Sequence, residues 1–257
     1  MKKLRKIDVL PSLLTLGNAF CGFLAIAYAA DMEYVRAAWM IFLAMGFDAL
    51  DGKVARITGS TSDFGAQLDS LSDAITFGVA PAFLVKVLVH EVYIPKVAWG
   101  LAVLYVLCAV LRLARFNVET ESHEDDAHDS FRGLPSPAAA GTLASLVILY
   151  DHLGKSPAIL YALPLVTVLV GALMVSRFKY VHLFNQLVKG GKSFTDFALI
   201  LFLLVFFALF REVALATLFC GYTVVGPGRW ALLALRAEDP DLDLADEEER
   251  PSPEVGS

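Results

Sequence analysis

Long apolar stretches alternate with short polar segments along the chain, and each stretch is about 15 to 25 residues long. A helix of that length spans a bilayer, and helices satisfy their own backbone hydrogen bonds in lipid. The predicted fold is therefore all-α, a polytopic membrane bundle. Gly226, Pro227 and Gly228 predict a break or kink in its last helix. Eight transmembrane helices are predicted, over about 9–30, 34–56, 66–90, 97–111, a stretch ending near 150, 158–175, 194–210 and 213–235.

Composition supports a membrane protein, because 57% of the residues are hydrophobic and the mean hydropathy is +0.61, too apolar for an ordinary soluble domain. The net charge of −6 is concentrated in residues 238–257, which carry nine acidic residues and one arginine and leave the rest at +2. We therefore predict a membrane-embedded domain over 1–237 and a disordered acidic tail over 238–257. The three cysteines lie in apolar runs without paired spacing, which argues against a disulfide framework or a zinc site.

The distribution of basic residues predicts the orientation. Lys2, Lys3, Arg5 and Lys6 precede the first apolar run, which has no small-residue cleavage signature and is expected to remain as a helix. Segments assigned to the inside hold about fifteen Lys and Arg, against about five outside. By the positive-inside rule, both termini are then cytoplasmic.

Four aspartates at the ends of the second and third predicted helices are the strongest candidate chemistry: Asp48, Asp51, Asp69 and Asp73. At about 100° per residue the first two share one helical arc, and the last two share one stripe. Two facing helices would gather all four carboxylates at one place. Clustered anions repel one another unless divalent cations lie between them, and carboxylate oxygens suit Mg²⁺ or Mn²⁺.

The neighbouring residues suit a phosphate ligand. Gly52, Ala55 and Gly65 leave these faces without bulk, so a partner helix or a phosphate can come close. Arg56 adds a fixed positive charge, and Thr61 in the connecting turn is a candidate hydrogen-bond donor to phosphate or cytosine. The arrangement predicts pyrophosphate chemistry.

Two other interpretations of the aspartates stay open. They could be helix caps and surface charges, as we expect for Asp63 in the intervening loop. They could also line an ion or proton pathway in a transporter, although that would not explain the glycine, alanine and arginine at fixed offsets.

The stretch fits D-x2-D-G-x2-A-R-x8-G-x3-D-x3-D at every specified position of residues 48–73, and in this it resembles the CDP-alcohol phosphotransferase family. Over about residues 9–190 the chain is most similar to the integral-membrane phosphatidylserine synthase branch. That similarity rests on LPSLLTLGNAFCG, SLSDAITFGVAPA, RLARFNVE and FRGLPSPAAAG. The resemblance implies a prokaryotic cytoplasmic-membrane enzyme, with a possible homodimer.

The implied reaction joins CDP-diacylglycerol and L-serine into phosphatidylserine and CMP at the cytoplasmic face. The resemblance makes all four aspartates ligands of Mg²⁺ or Mn²⁺ and makes Asp73 the base. The shared motif alone would not distinguish serine from glycerol 3-phosphate or inositol. The resemblance also directs Thr15 and Asn18 toward the nucleotide, although these polar groups could merely tie the first helix to its neighbours.

The expected serine pocket combines the inner end of the fourth helix with the approach to the fifth. Arg112 and Arg115 share a helical face and could clamp an anion or only anchor the helix end, and Asn117 could add a neutral hydrogen bond. Pro135 and Ser136 belong to a stiff segment suited to holding a small substrate. The polar loop between these elements, with His123 and His128, is expected to be a solvated charged loop rather than a metal site.

Overall fold

The computed structural model describes residues 9–59, 62–122, 131–180 and 210–237. Its long elements are all helices, as predicted. Several predicted features lie outside the described residues: positions 194–209 of the predicted helix over 194–210, the tail over 238–257, Thr61, His123 and His128. The helices are α1 Val9–Ala30, α2 Tyr34–Thr58, α3 Asp63–Asp73, α4 Ala80–Val89, α5 Pro95–Ser122, α6 Ser136–His152, α7 Pro157–Val175 and α8 Arg211–Ala237, with a π-helical segment, Ala74–Val79, between α3 and α4.

Four described helical stretches are long and apolar enough to cross a membrane: Val9–Ala30, Asp63–Val89, Pro95–Glu119 and Pro157–Val175. On α1, large apolar side chains such as Leu13, Phe20 and Phe23 point outward and are more than half exposed. Such a face suits lipid rather than water. The chain is an integral membrane protein, while the count of eight helices and the orientation stay predictions.

Small residues let α1 and α2 pack closely as a hairpin. The buried face of α1 includes Cys21, Gly22, Ala25 and Ala29. The buried residues of α2 include Ala37, Ala38 and Ala44. Because these side chains are small, the two backbones can approach each other. The tight connection between the helices is closed where the Glu33 N–H donates to the Tyr28 carbonyl at 2.9 Å.

The third predicted helix contains an irregular turn that its apolar pattern did not reveal. Pro81 has no N–H to donate to the Phe77 carbonyl four residues earlier, so a regular helical bond cannot form there. The backbone widens into the π-helical segment Ala74–Val79. The Tyr105 hydroxyl of α5 donates to that Phe77 carbonyl at 3.1 Å and satisfies it.

Helix α5 is longer than predicted. We expected it to end near 111, but it continues to Ser122. The extension contains residues with good helix propensity, and Arg115 pairs with Glu119 one turn later at 2.9 Å. Arg112, Arg115 and Asn117 therefore all lie on this helix, in agreement with the helical face predicted for the two arginines.

Helix α6 is the centre of the bundle, since apolar or small side chains are buried around its whole circumference. At its entrance β1, Phe131–Arg132, pairs antiparallel with β2, Lys179–Tyr180. Gly133 follows with φ 87, where a Cβ would collide with the Met174 carbonyl, so glycine is required. The strand pair fixes the start of α6 against the end of α7.

Helix α8 packs on α6 and does not break at Pro227. The Thr142 and Thr223 hydroxyls lie 2.8 Å apart across this interface. Pro227 cannot donate to the Thr223 carbonyl, but the Tyr180 hydroxyl donates to it at 3.1 Å. Of the predicted break or kink, the break was wrong, because the Tyr180 hydroxyl replaces the lost hydrogen bond and the helix continues through Pro227. The kink stays a prediction.

Candidate active site

Three aspartates of the motif meet where α2 and α3 face each other. One carboxylate oxygen from each of Asp48, Asp51 and Asp69 lies within 4.8 Å of the others. Local capping ends α2 and begins α3 on either side of the short connection between them. Gly59, at φ 61, ends α2, and Ser62 caps α3 by accepting the Gly65 N–H at 3.1 Å.

This cluster fits a divalent cation. Asp51 is only 5% exposed, and Asp51 Oδ2 and Asp69 Oδ1 are buried without a hydrogen-bond partner among the described residues. Leaving buried carboxylate oxygens unpaired is costly, and a cation among them removes that cost. Hard oxygen donors at this separation suit Mg²⁺ or Mn²⁺.

Asp73 lies next to the cluster and has a partner of its own. It is 8% exposed, and its Oδ1 accepts a hydrogen bond of 3.1 Å from Asn18 Nδ2. The Thr76 hydroxyl of the π-helical segment donates to the Asn18 backbone carbonyl at 3.2 Å, which holds α1 against this turn. Asn18 Oδ1 is buried without a partner among the described residues. The structure therefore places Asn18 against Asp73.

A cavity of about 440 Å³ opens beside the carboxylates, within the size range of small-molecule sites. Arg56 is exposed there, and its Nε donates to the Gly52 carbonyl at 3.0 Å. The cavity brings together seven of the predicted residues: Thr15, Asp51, Gly52, Ala55, Arg56, Gly65 and Asp69. Neither Asn18 nor Asp73 belongs to its lining.

The cavity also has lining residues that the sequence analysis missed: Pro11, Ser12, Ser62, Ala66 and Phe116. Helical spacing could have found two of them, since Ser12 precedes Thr15 by three residues and Ala66 precedes Asp69 by three. Phe116 comes from α5, and no pattern within the motif could have indicated it. Three different parts of the chain thus enclose this cavity.

The residues predicted to form the acceptor pocket do not all lie together. Some lie near the carboxylates, and others contact different helices. Arg112 Nη1 donates to Ser136 Oγ at 3.1 Å, and its charge interacts with Asp48 and Asp73. Pro135 directly precedes Ser136 and caps α6 with extended backbone. The structure therefore brings this part of the predicted pocket to the carboxylates.

Arg115 and Asn117 are engaged elsewhere. Arg115 pairs with Glu119 and reaches the Val175 carbonyl at 3.5 Å. The Asn117 side chain exchanges hydrogen bonds of 3.0 and 3.1 Å with the Ser70 hydroxyl. These contacts connect α5 with α7 and α3.

An apolar helix bundle that gathers carboxylates beside a cavity is the arrangement of a membrane enzyme acting on charged groups. Residues 8–176 match the model of the CDP-alcohol phosphatidyltransferase family, and the chain belongs to that family.

Several curated relatives resemble the chain. A CDP-diacylglycerol–serine O-phosphatidyltransferase of Helicobacter pylori is 34% identical over 232 residues, covering 88% of this chain and 92% of its own. One of the same name from Mycobacterium bovis is 37% identical over 58% of this chain and 52% of its own. An archaetidylserine synthase of Methanothermobacter thermautotrophicus is 38% identical over 70% of this chain and 72% of its own.

Proposed function

We propose that this protein transfers the phosphatidyl group of CDP-diacylglycerol to the hydroxyl of L-serine, giving phosphatidylserine and CMP. The observation that carries the proposal is the carboxylate cluster of Asp48, Asp51 and Asp69 at the edge of the 440 Å³ cavity. The three relatives described above support serine as the acceptor, since each name specifies a serine lipid. The long similarity to the H. pylori transferase, over 88% of this chain, gives the strongest support.

The carboxylates of Asp48, Asp51 and Asp69, with Asp73 beside them, would hold one or two divalent cations, Mg²⁺ or Mn²⁺. Bound there, the metal neutralises the pyrophosphate and stabilises CMP as a leaving group. Thr15, Gly52, Ala55, Arg56 and Gly65 surround the place where the nucleotide would lie. Arg56 supplies positive charge, and the glycines and alanine leave room for the phosphates.

Asp73 accepts the proton in the proposed reaction. The serine oxygen attacks the β-phosphorus, the bond from that phosphorus to the CMP oxygen breaks, and the hydroxyl proton passes to the Asp73 carboxylate. The hydrogen bond from Asn18 fixes one oxygen of this carboxylate. A base held in this way can act when proton loss and P–O bond formation coincide.

The arrangement in the membrane is part of the proposal. Eight helices over residues 1–237, with both termini inside, would put the aspartates and the cavity on the cytoplasmic side, where a nucleotide lipid can enter. The acyl chains would stay in the bilayer, against the outward apolar face of α1. The acidic tail over 238–257 would lie in the cytoplasm. A homodimer, expected from the family resemblance, can be tested by the mass of the detergent-solubilised protein.

The test is an acceptor assay on purified protein in detergent or vesicles containing CDP-diacylglycerol. Serine, glycerol 3-phosphate and inositol are offered separately, and release of CMP is measured after chelation of metals and after return of Mg²⁺ or Mn²⁺. We expect CMP release with serine and metal together. Release with another alcohol alone would replace serine as the acceptor. Absence of CMP release with every alcohol would support the alternative of an ion-coupled transporter.

A further inference from the structure

The cavity has one wall residue that the proposed reaction does not use. Phe116 of α5 is the only aromatic side chain among the described residues that line the cavity. It shares that lining with Asp51 and Asp69, two members of the carboxylate cluster. Phe116 is therefore the contribution of α5 to the space proposed for the nucleotide.

The Phe116 ring also contacts Arg112, which lies one helical turn earlier on α5. The Arg112 Cζ lies over this ring, 5.3 Å from its centroid, within the range of about 6 Å in which a cation is attracted to an aromatic face. Residues four apart on a helix are neighbours, so the helix itself brings the two side chains together. Arg112 is not among the described residues that line the cavity. Phe116 thus touches both the cavity and Arg112.

Two contacts orient the Arg112 guanidinium. Its Nη1 donates to Ser136 Oγ at 3.1 Å, which fixes one edge of the planar group. The Phe116 ring restricts the rotation that a single hydrogen bond leaves open. The N–H groups lie in the plane of the guanidinium, so a ring lying over the group does not occupy them. The ring therefore orients Arg112 without using the donors that a carboxylate needs.

We propose that Phe116 is a positioning residue for an amino-acid acceptor, because it holds Arg112 in the orientation that binds the acceptor carboxylate. A flexible arginine loses conformational freedom when it binds, and a side chain that is already oriented loses less. Because Phe116 also lines the cavity, the same ring keeps Arg112 beside the donor site, as transfer between two substrates requires. This inference rests on the proposed function, with Arg112 as the group that binds the serine carboxylate.

Phe116→Leu tests the proposal, since leucine keeps an apolar side chain at the cavity but has no aromatic face for Arg112. We expect the KM for serine to rise roughly 3- to 10-fold, the size of a cation–π contact. The KM for CDP-diacylglycerol should change less. Phe116→Tyr keeps the ring and should keep the serine KM close to wild type. Phe23→Leu is the matched control, because Phe23 is 64% exposed on the outward face of α1, and both constants should stay unchanged.

A double variant shows whether Phe116 acts through Arg112. In an Arg112→Ala background, Phe116→Leu should cause no further rise in the serine KM, because the group that it positions is already absent. A general loss of packing would instead raise the serine KM by the same factor in both backgrounds. Equal factors in the two backgrounds would therefore overturn the inference.

The single variants can also contradict the proposal. A rise confined to the KM for CDP-diacylglycerol in Phe116→Leu would make Phe116 a wall of the donor cavity only. A Phe116→Tyr variant as impaired toward serine as Phe116→Leu would show that the aromatic face is not what matters. Either result would overturn the positioning role.

Failure of this inference is distinguishable from failure of the proposed function. Wild-type protein that releases no CMP with serine would overturn both. Wild-type protein with serine-dependent CMP release and a Phe116→Leu variant with unchanged serine KM would overturn the role of Phe116 alone.

Discussion

Asn18 Nδ2 donates a hydrogen bond of 3.1 Å to Asp73 Oδ1, joining the first helix to the end of the motif 55 residues later. Both side chains are buried, and Asn18 is not part of the cavity lining. The contact gives Asn18 a positioning role toward the proposed base, while the family resemblance directs it toward the nucleotide. The two roles have different kinetic consequences.

Asn18→Ala should lower kcat about 10-fold and leave the KM for CDP-diacylglycerol nearly unchanged. The reason is that the Asp73 carboxylate loses the hydrogen bond that fixes one of its oxygens, and a poorly oriented base transfers protons less efficiently. Steady-state measurement of both constants decides between the roles. A rise in that KM at constant kcat would instead place Asn18 on the nucleotide.

Asp73→Asn should abolish turnover and preserve nucleotide binding, because the amide keeps the shape of the side chain but cannot accept the proton. General-base catalysis typically contributes 10² to 10⁴ in rate, so less than about a tenth of the wild-type rate is expected in a CMP-release assay. Binding of CDP-diacylglycerol, measured separately, should persist. A variant that retained more than that fraction would exclude Asp73 as the base.

Asp48→Asn and Asp51→Asn should weaken the binding of the divalent metal. Even outer-shell partners of a metal site change affinity by about 10- to 100-fold, so loss of a ligand should raise the half-saturating Mn²⁺ or Mg²⁺ concentration at least about 10-fold. Mn²⁺ binding followed by electron paramagnetic resonance gives a readout independent of activity. Asp63→Asn is the matched control. Asp63 is an exposed aspartate in the first turn of α3, and its loss should leave Mn²⁺ binding intact.

Arg112→Ala and Arg115→Ala should differ. Arg112 contacts Ser136 beside the aspartates, so its loss should raise the KM for serine about 10-fold or more, as for a charge-assisted hydrogen bond. Arg115 is engaged by Glu119 and the Val175 carbonyl, and its replacement should leave the serine KM close to wild type. A rise in the serine KM for Arg115→Ala alone would assign the binding of the serine carboxylate to Arg115 instead of Arg112.

The proposed orientation can be tested with single cysteines in a background lacking Cys21, Cys108 and Cys220. An impermeant thiol reagent added from outside should label a cysteine at Asp151, in the last turn of α6, and spare one at Asp125, in the polar loop before that helix. Labelling at both positions or the reverse pattern would contradict cytoplasmic placement of the termini and the aspartates.

The sequence predicted the helices that a local pattern defines. The apolar run over 9–30 coincides with α1, and three of the four aspartates predicted to gather, Asp48, Asp51 and Asp69, do meet. In both cases the information lies within one or two helical turns and the short connection between them. Local spacing was therefore sufficient to predict the carboxylate cluster.

Local sequence patterns could not predict the contacts between segments that are distant in the chain. The π-helical segment depends on Pro81 and on Tyr105 from another helix, and the approach of Phe116 to the cavity depends on the packing of α5. The separation of Arg112 from Arg115 is similar, since both lie on one helix but their partners come from α6 and α7. The spacing of the two arginines does not distinguish between their possible partners. The packing of α5 against α6 and α7 determines which partner each arginine contacts.

Two tyrosine hydroxyls donate to the carbonyls that Pro81 and Pro227 leave without a helical hydrogen bond. This has a consequence for biogenesis. In each case the donor belongs to another part of the chain, Tyr105 on α5 or Tyr180 on β2. A newly inserted helix carries the proline but not yet this donor, so its final irregular shape becomes stable only when its neighbour docks. The backbone that follows Asp73 therefore reaches its final conformation only when the helices associate. A chain whose helices are inserted but not yet packed together lacks a complete catalytic centre.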